Sequence, residues 1–414
     1  QAQEEQPQAQ EEQPQAQDDS PTTYERNNIS NIKEKSGDYD YLYPHIDDPD
    51  FNIKISSKKE FFDTRYDGNI YDLEEHSDKL CNAVFELTPH QLFVRNFLSF
   101  QTPYNSLLLY HGLGTGKTCS AIGIGEETRD YNKQMGISKR IIIVASPNVQ
   151  NNFKLQLFDE RKLELVDGLW NIKACTGNKF IKEINPMNMK GLSKENVSKQ
   201  INSIIKKSYI FLGYIEFANY IQKQSKIDVD VGEKRKKNLI KNKLKKDFNN
   251  RLIIIDEIHN IRISDDNEQK RVAIELTKLI KSVDNLKLLL LSATPMYNNY
   301  KEILWLVNLM NMNDNRPEMS MKDVFNDDGS FVTDDDGNEI GKELLERKST
   351  GYVSFVRGDN PYTFPYRIWP SSFSPEKSYE QIRKPDIQLN GAPIIQNLKF
   401  IEVYLSKIGS EQQK

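Results

Sequence analysis

Five short apolar runs recur through this sequence: SLLLYH (106–111), IIIVAS (141–146), YIFLG (209–213), LIIIDE (252–257) and LKLLLLS (286–292). Each has the length of a strand and is apolar on both faces. Each is followed by a longer polar stretch with helix-like patterning. A strand apolar on both sides must be covered on both sides, which is the situation at the centre of a parallel sheet flanked by helices. Strand and helix signals in alternation therefore predict an α/β fold with right-handed crossovers, built on a central, mainly parallel sheet.

The rest of the chain is organised around that lobe. Of 414 residues, 37% are apolar and 28% charged, which suits one sizeable core with polar extensions. QAQEEQP occurs at 1–7 and 8–14 and starts a third time. Pro recurs in every period and no large apolar residue fills a seam, so residues 1–38 read as a disordered, acidic, low-complexity tail rather than a coiled coil. Residues 39–86 are rich in aromatics and read as an N-terminal extension. The lobe itself occupies 87–312. Residues 313–375 read as an insertion, with two Asp-Gly turn signals in NDDGSFVTDDDGNEI (326–340) that suggest a surface hairpin. Residues 376–414 read as a connector.

Composition also limits the partners. The net charge is −4, so contact with nucleic acid has to come from a local patch. Cys81, Cys119 and Cys175 are scattered and odd in number. They suggest neither a disulfide framework nor a zinc site, and favour a reducing compartment. No apolar run approaches the roughly 20 residues that span a bilayer, so no membrane partner is expected. The polar, acidic N-terminus, which begins with Gln, is unlike a secretory signal.

The strongest chemical signal is His111-Gly112-Leu113-Gly114-Thr115-Gly116-Lys117-Thr118, between an apolar strand and a helix-compatible stretch. The glycines let backbone N–H groups approach phosphate oxygens, and the helix N-terminus adds positive potential. Gly112, Gly114, Thr115, Gly116, Lys117 and Thr118 are thus candidate ATP-binding residues. Lys117 is placed to reach the β- and γ-phosphates, and the Thr118 hydroxyl to ligate Mg²⁺. The pattern wants Gly at its first position, where this chain has His111. At the end of LIII come Asp256-Glu257-Ile258-His259. Asp256 is the second candidate Mg²⁺ ligand, Glu257 the candidate base for an attacking water, and His259 a candidate contact to a third motif. That third motif, Ser292-Ala293-Thr294 before Pro295, is the candidate element coupling the ATP site to a nucleic-acid face. Gln91 follows Thr88-Pro89 and is a candidate adenine reader, since an amide donates and accepts at once; a helix-start polar residue accounts for it about as well.

In this order and spacing, the four motifs resemble the first RecA-like lobe of the superfamily 2 helicases, and more closely the Swi/Snf-like branch. FLGYIEFANYI (211–221) and ATPMYNNYKEILWLVNLMN (293–311) are similar to segments of that branch. DDPDFNIKISSKKEF (47–61), LTPHQLFVRNFLSFQTPYNSLLLYHGLGTGKTCSAI (87–122), IIIDEIHNIR (253–262) and GYVSFVRGDNPYTFPYRIWP (351–370) resemble the helicase-like ATPases of nucleocytoplasmic large DNA viruses. That group includes the poxvirus nucleoside triphosphatase I and the small subunit of the early transcription factor. The resemblance implies ATP and Mg²⁺ as cofactors, a nucleic-acid partner held by its backbone, and a place in viral transcription, in virions or the cytoplasmic viral factory. It also implies a second RecA-like lobe with arginine fingers. Residues 296–414 hold no such arginine cluster, Arg357 reads as a packing residue, and the second lobe is expected to be absent from this chain. The chain would then hydrolyse ATP weakly by itself, with viral RNA polymerase or a second-lobe chain as further partners.

KRKKNLIKNKLKK (234–246) is the sharpest basic patch. Lys234, Arg235, Lys236, Lys237, Lys241 and Lys243 are candidate phosphate-backbone contacts, with a solvated charged helix as the other reading. Further backbone contacts are expected near 146–148, 176–180 and Tyr214. Two functions stay open: an ATP-driven translocase on nucleic acid, and a non-catalytic nucleotide-binding scaffold subunit of a viral transcription complex.

Overall fold

A computed structural model describes residues 42–82, 86–112, 114–227, 232–261, 267–296, 300, 302–356, 368–378, 387, 391–394, 404 and 406–411. The expected tail at 1–38, Arg357 and most of the connector expected at 376–414 lie outside the described residues.

All five apolar runs form strands of one sheet: β1 (Ser106–His111), β2 (Ile141–Val144), β5 (Tyr209–Leu212), β6 (Leu252–Ile255) and β7 (Lys287–Ser292). Two further strands, β3 (Leu163–Val166) and β4 (Leu169–Ile172), form a separate antiparallel hairpin around Asp167 and Gly168, both at positive φ. That is the chemistry a two-residue hairpin turn demands. The main sheet is completed by β8 (Val353–Val356) and runs β5-β2-β6-β7-β1-β8, parallel at every pairing. β8 was not among the expected strands. It is four residues long and only partly buried at the sheet edge, so it lacks the continuous apolar run that marks an interior strand. The hairpin expected at 326–340 is reduced to one antiparallel bridge, Phe325 to Phe331, around a turn at Gly329.

The sheet centre is dry. β2, β6 and β7 are buried along their whole length, in one apolar core with Phe153, Phe217, Val272 and Leu276 of the helices. The aromatic extension packs onto the lobe beside β1. Phe51 and Tyr104 meet edge to face at 5.5 Å, Phe97 and Tyr104 stack at 4.4 Å, and the Tyr104 hydroxyl donates to the Pro44 carbonyl at 2.8 Å. At the edge where strands enter the sheet, Asn313 donates to Ser106 Oγ and the Leu286 carbonyl. There Lys287, 2% exposed, donates to the carbonyls of Ser99, Thr102 and Tyr104.

One expectation is corrected. Cys119 and Cys175, which we read as unpaired, form a disulfide across 56 residues with a Cα separation of 5.2 Å. Their distance in sequence says nothing of this, because the crossover through the β3–β4 hairpin brings residue 175 back to the first turn of the helix Lys117–Gln134. The cysteines therefore give no ground for inferring a reducing compartment. No helix among the described residues is long and apolar enough to cross a membrane.

Candidate nucleotide site

The site is assembled where strands leave the sheet. β1 buries Leu107, Leu108 and Leu109 and releases the chain at His111. Gly114 and Gly116 follow with φ of +80° and +78°, a region that costs a side chain strain and costs glycine nothing. The helix Lys117–Gln134 starts immediately, so its N-terminal amides face the loop exit. Thr118 is its second residue and is half-buried. A Cβ at Gly116 would also press on the Gln91 amide, which would have to leave its contact with the Gly116 carbonyl.

Gln91 sits beneath this loop. Its Oε1 accepts from the Thr88 backbone N–H at 3.0 Å, completing a capping box for the helix Pro89–Phe97, and its Nε2 donates to the Gly116 carbonyl at 3.2 Å. Both ends of the amide are therefore engaged with protein in this state. The neighbouring residue was not singled out from sequence. His90 Nε2 lies 3.0 Å from the Thr115 carbonyl, which can only accept. The proton is thus on Nε2, and Nδ1 accepts from the Tyr66 hydroxyl at 2.7 Å. Burial lowers the His90 pKa and keeps the ring neutral. His111 packs against it at 5.6 Å and pairs through Nε2 with Ser354 Oγ of β8 at 2.9 Å. Burial, with His90 and Lys117 adding, pushes His111 down to about 3. The residue at the first position of the motif thus ties the Gly-rich loop to β8, which was not among the expected strands. The only sequence signal for either histidine is adjacency to a motif.

Opposite the loop, β6 delivers Asp256. Its backbone N–H donates to the Val144 carbonyl and its Oδ1 accepts from the Glu257 N–H at 2.8 Å. In the sheet β6 and β1 are separated by β7 alone, so their exits are two strand spacings, roughly 10 Å, apart. The electrostatics agree with that spacing. Burial depresses the Lys117 pKa while Glu257 and Asp256 oppose that shift. Asp256 is raised to about 6, by burial first and then by the Glu257 charge. Lys117 Nζ folds back to donate to the His111 and Gly112 carbonyls at 2.8 and 3.1 Å. A buried carboxyl with a raised pKa beside a second acid is a donor set that a divalent cation suits, because the cation favours the ionised form.

Glu257 adopts φ +46°, a left-handed conformation that costs a non-glycine residue about 1 kcal/mol or more. The bend brings its carboxylate to 3.2 Å from His259 Nδ1, which also lies 3.1 Å from Ser292 Oγ at the end of β7. Ser292 Oγ in turn accepts from the Thr294 N–H at 3.0 Å, with Ala293 between them. His259 therefore bridges the acidic motif and the Ser-Ala-Thr motif. Tyr214 joins the same cluster, its hydroxyl donating to the Asp256 carbonyl at 2.9 Å. Lys179, in the segment expected to touch nucleic acid, instead pairs with Asp130 at 2.7 Å and Glu126 at 3.3 Å on the phosphate-loop helix. The six basic candidates Lys234, Arg235, Lys236, Lys237, Lys241 and Lys243 lie on a helix, Glu233–Phe248, that joins the sheet from its other edge.

A family model described as the SNF2-related domain matches residues 90–344, well over half of the chain. The chain belongs to this family. Among its SNF2-related relatives, the candidate ATP-dependent RNA helicase L377 of Acanthamoeba polyphaga mimivirus is 27% identical over 83% of this chain, which spans 29% of that protein. The early transcription factor large subunit homolog of an African swine fever virus isolate from Kenya is 23% identical over 79% of this chain and 35% of its own length. A solved SWI2/SNF2 ATPase core from Sulfolobus solfataricus, in complex with dsDNA, aligns over 66% of this chain and 45% of its own, with 14% identity and a TM-score of 0.36. The chain spans about a third of the length of the viral relatives it matches.

Proposed function

We propose that this chain is the ATP-binding first motor lobe of an ATP-dependent translocase or helicase acting on nucleic acid, serving viral transcription. The observation that carries the reading is the placement of Lys117 within electrostatic reach of both Asp256 and Glu257 at one sheet edge. Viral relatives named for helicase activity and for early transcription support it.

In this reading the loop amides and Lys117 hold the triphosphate, with the lysine leaving the His111 and Gly112 carbonyls for phosphate oxygens. Thr118 and Asp256 would hold Mg²⁺, which supplies charge neutralisation at the transferring phosphoryl group. Glu257 orients an attacking water and takes its proton. His259, held between Glu257 and Ser292, reports the state of that carboxylate to the Ser292-Ala293-Thr294 turn. A chain without an arginine cluster in 296–414 is expected to turn over slowly alone, and a steady-state assay with and without DNA checks this. Brisk turnover would argue against a role for a second arginine-bearing lobe, whereas a scaffold subunit would show no stimulation by DNA.

Lys117→Ala tests the reading directly. Loss of a charge-assisted contact of about 1.5–3 kcal/mol lowers ATP affinity by roughly 10- to 100-fold, measurable by titration with a fluorescent ATP analogue. Affinity equal to that of the unaltered chain would sink the proposed site.

A further inference from the structure

The basic run at 234–246 folds as the helix Glu233–Phe248, and its placement separates it from the nucleotide site. It carries eight Lys or Arg and two acids, a net of +6, so the remainder of a chain of net −4 carries −10. Only its C-terminal half is held. Leu244 and Phe248 are buried, Lys243 Nζ donates to the Lys226 carbonyl at 2.7 Å, and Lys245 pairs with Asp284 at 2.5 Å. Just beyond the helix, Asn249 accepts from Lys139 Nζ and from the Asp284 N–H, and Arg251 donates to the Arg140 carbonyl. These residues all immediately precede β2, β6 or β7, so the anchor lies where strands enter the sheet, opposite the edge that carries Lys117 and Asp256. Residues 233–239 are exposed throughout.

A solvated helical face ordinarily interleaves Glu with Lys at i,i+4. Between 234 and 246 there is no acid, and Lys237 and Lys241 follow one another at i,i+4, a spacing at which like charges repel. Such an arrangement is relieved by a polyanion. Elsewhere the excess negative charge repels one, so a polyanion approaching the molecule is drawn to this helix.

We infer that the exposed half of this helix is a second docking surface for the phosphate backbone of duplex DNA, outside the nucleotide edge of the lobe. Duplex is the occupant because it presents one charge per about 1.7 Å of axis, about twice the density of a single strand, and the four consecutive cations at 234–237 match dense charge rather than base edges. The inference rests on the proposed action on nucleic acid, and the experiment separates the two. Binding of the full chain to a DNA duplex is followed by fluorescence anisotropy across a salt series, for the unaltered protein and for the combined variant Lys234→Gln, Arg235→Gln, Lys236→Gln, Lys237→Gln. The expected result is weaker binding, with the slope of log affinity against log salt smaller by about 2 to 4 units. The charge-preserving set Lys234→Arg, Lys236→Arg, Lys237→Arg keeps the original slope. An unaltered protein that binds no duplex overturns this surface, and one that binds neither duplex nor single-stranded DNA or RNA overturns the functional reading itself. Binding by the unaltered protein with the same slope in the Gln variant overturns this surface alone. The four side chains are exposed, so an unchanged thermal midpoint confirms that the Gln variant is folded.

Discussion

Glu257→Gln cuts single-turnover ATP hydrolysis by about 10² to 10⁴ while ATP affinity stays within a few-fold of the unaltered chain. The substitution keeps the size of the side chain and removes its ability to take a proton from water. Binding is spared because Lys117, the loop amides and Asp256 are untouched, and one fewer negative charge faces the phosphates. Quenched-flow hydrolysis with the protein in excess over ATP separates this chemical step from product release. A rate within threefold of the unaltered chain would remove Glu257 from the role of base. The same variant should loosen the link to Ser292, because His259 Nδ1 lies between the Glu257 carboxylate at 3.2 Å and Ser292 Oγ at 3.1 Å.

Lys287→Met destabilises the fold by about 2–4 kcal/mol, visible as a thermal midpoint lower by roughly 5–10 °C. The side chain is buried at the start of β7, where its nitrogen reaches three carbonyls in the turn that leads into β1, donating to all three as the ammonium and to two as the neutral amine. Met fills the space and donates nothing. The Ser99 carbonyl keeps the Thr102 hydroxyl as a donor, while those of Thr102 and Tyr104 lose the contact from Lys287. The pH dependence has a definite sign. Burial pulls the folded-state amine down to about 7, from 10.5 in the unfolded chain, with Asp314 opposing the shift. Between those values the unfolded chain binds more protons, so stability from this residue grows as pH rises through that window. The gap between the unaltered chain and Lys287→Met therefore widens from pH 7 to pH 10 in denaturant titrations. A gap that narrows over this range would contradict the assignment.

The parts legible in sequence share one property, that a local pattern dictates them. Five continuous apolar runs became five parallel strands because a sheet covered on both faces leaves no polar position within them. The glycines at 114 and 116 mark a backbone turn whose positive φ any other residue would resist. β8 escaped because an edge strand needs to be apolar on only part of its surface. Gln91 was legible as a polar residue at a helix start or a candidate adenine reader, but its contact to the Gly116 carbonyl, 25 residues away, was not. His90 and Tyr66 belong to no motif of their own, since their work is to hold Thr115 through a chain of contacts between three separate segments.

The sequence by itself determined the kind of sheet, the order of the chemical motifs and the identity of the candidate nucleotide-binding groups. Only tertiary structure decided which of those groups share an edge. Asp256 and Lys117 come to the same sheet edge because β7 alone lies between β6 and β1, and the basic helix stands apart because its anchor precedes the strands rather than following them. The Cys119–Cys175 pairing belongs to the same class. Each is a relation between residues tens to hundreds of positions apart, set by strand order and crossover path, and a local pattern of residues carries no record of that path.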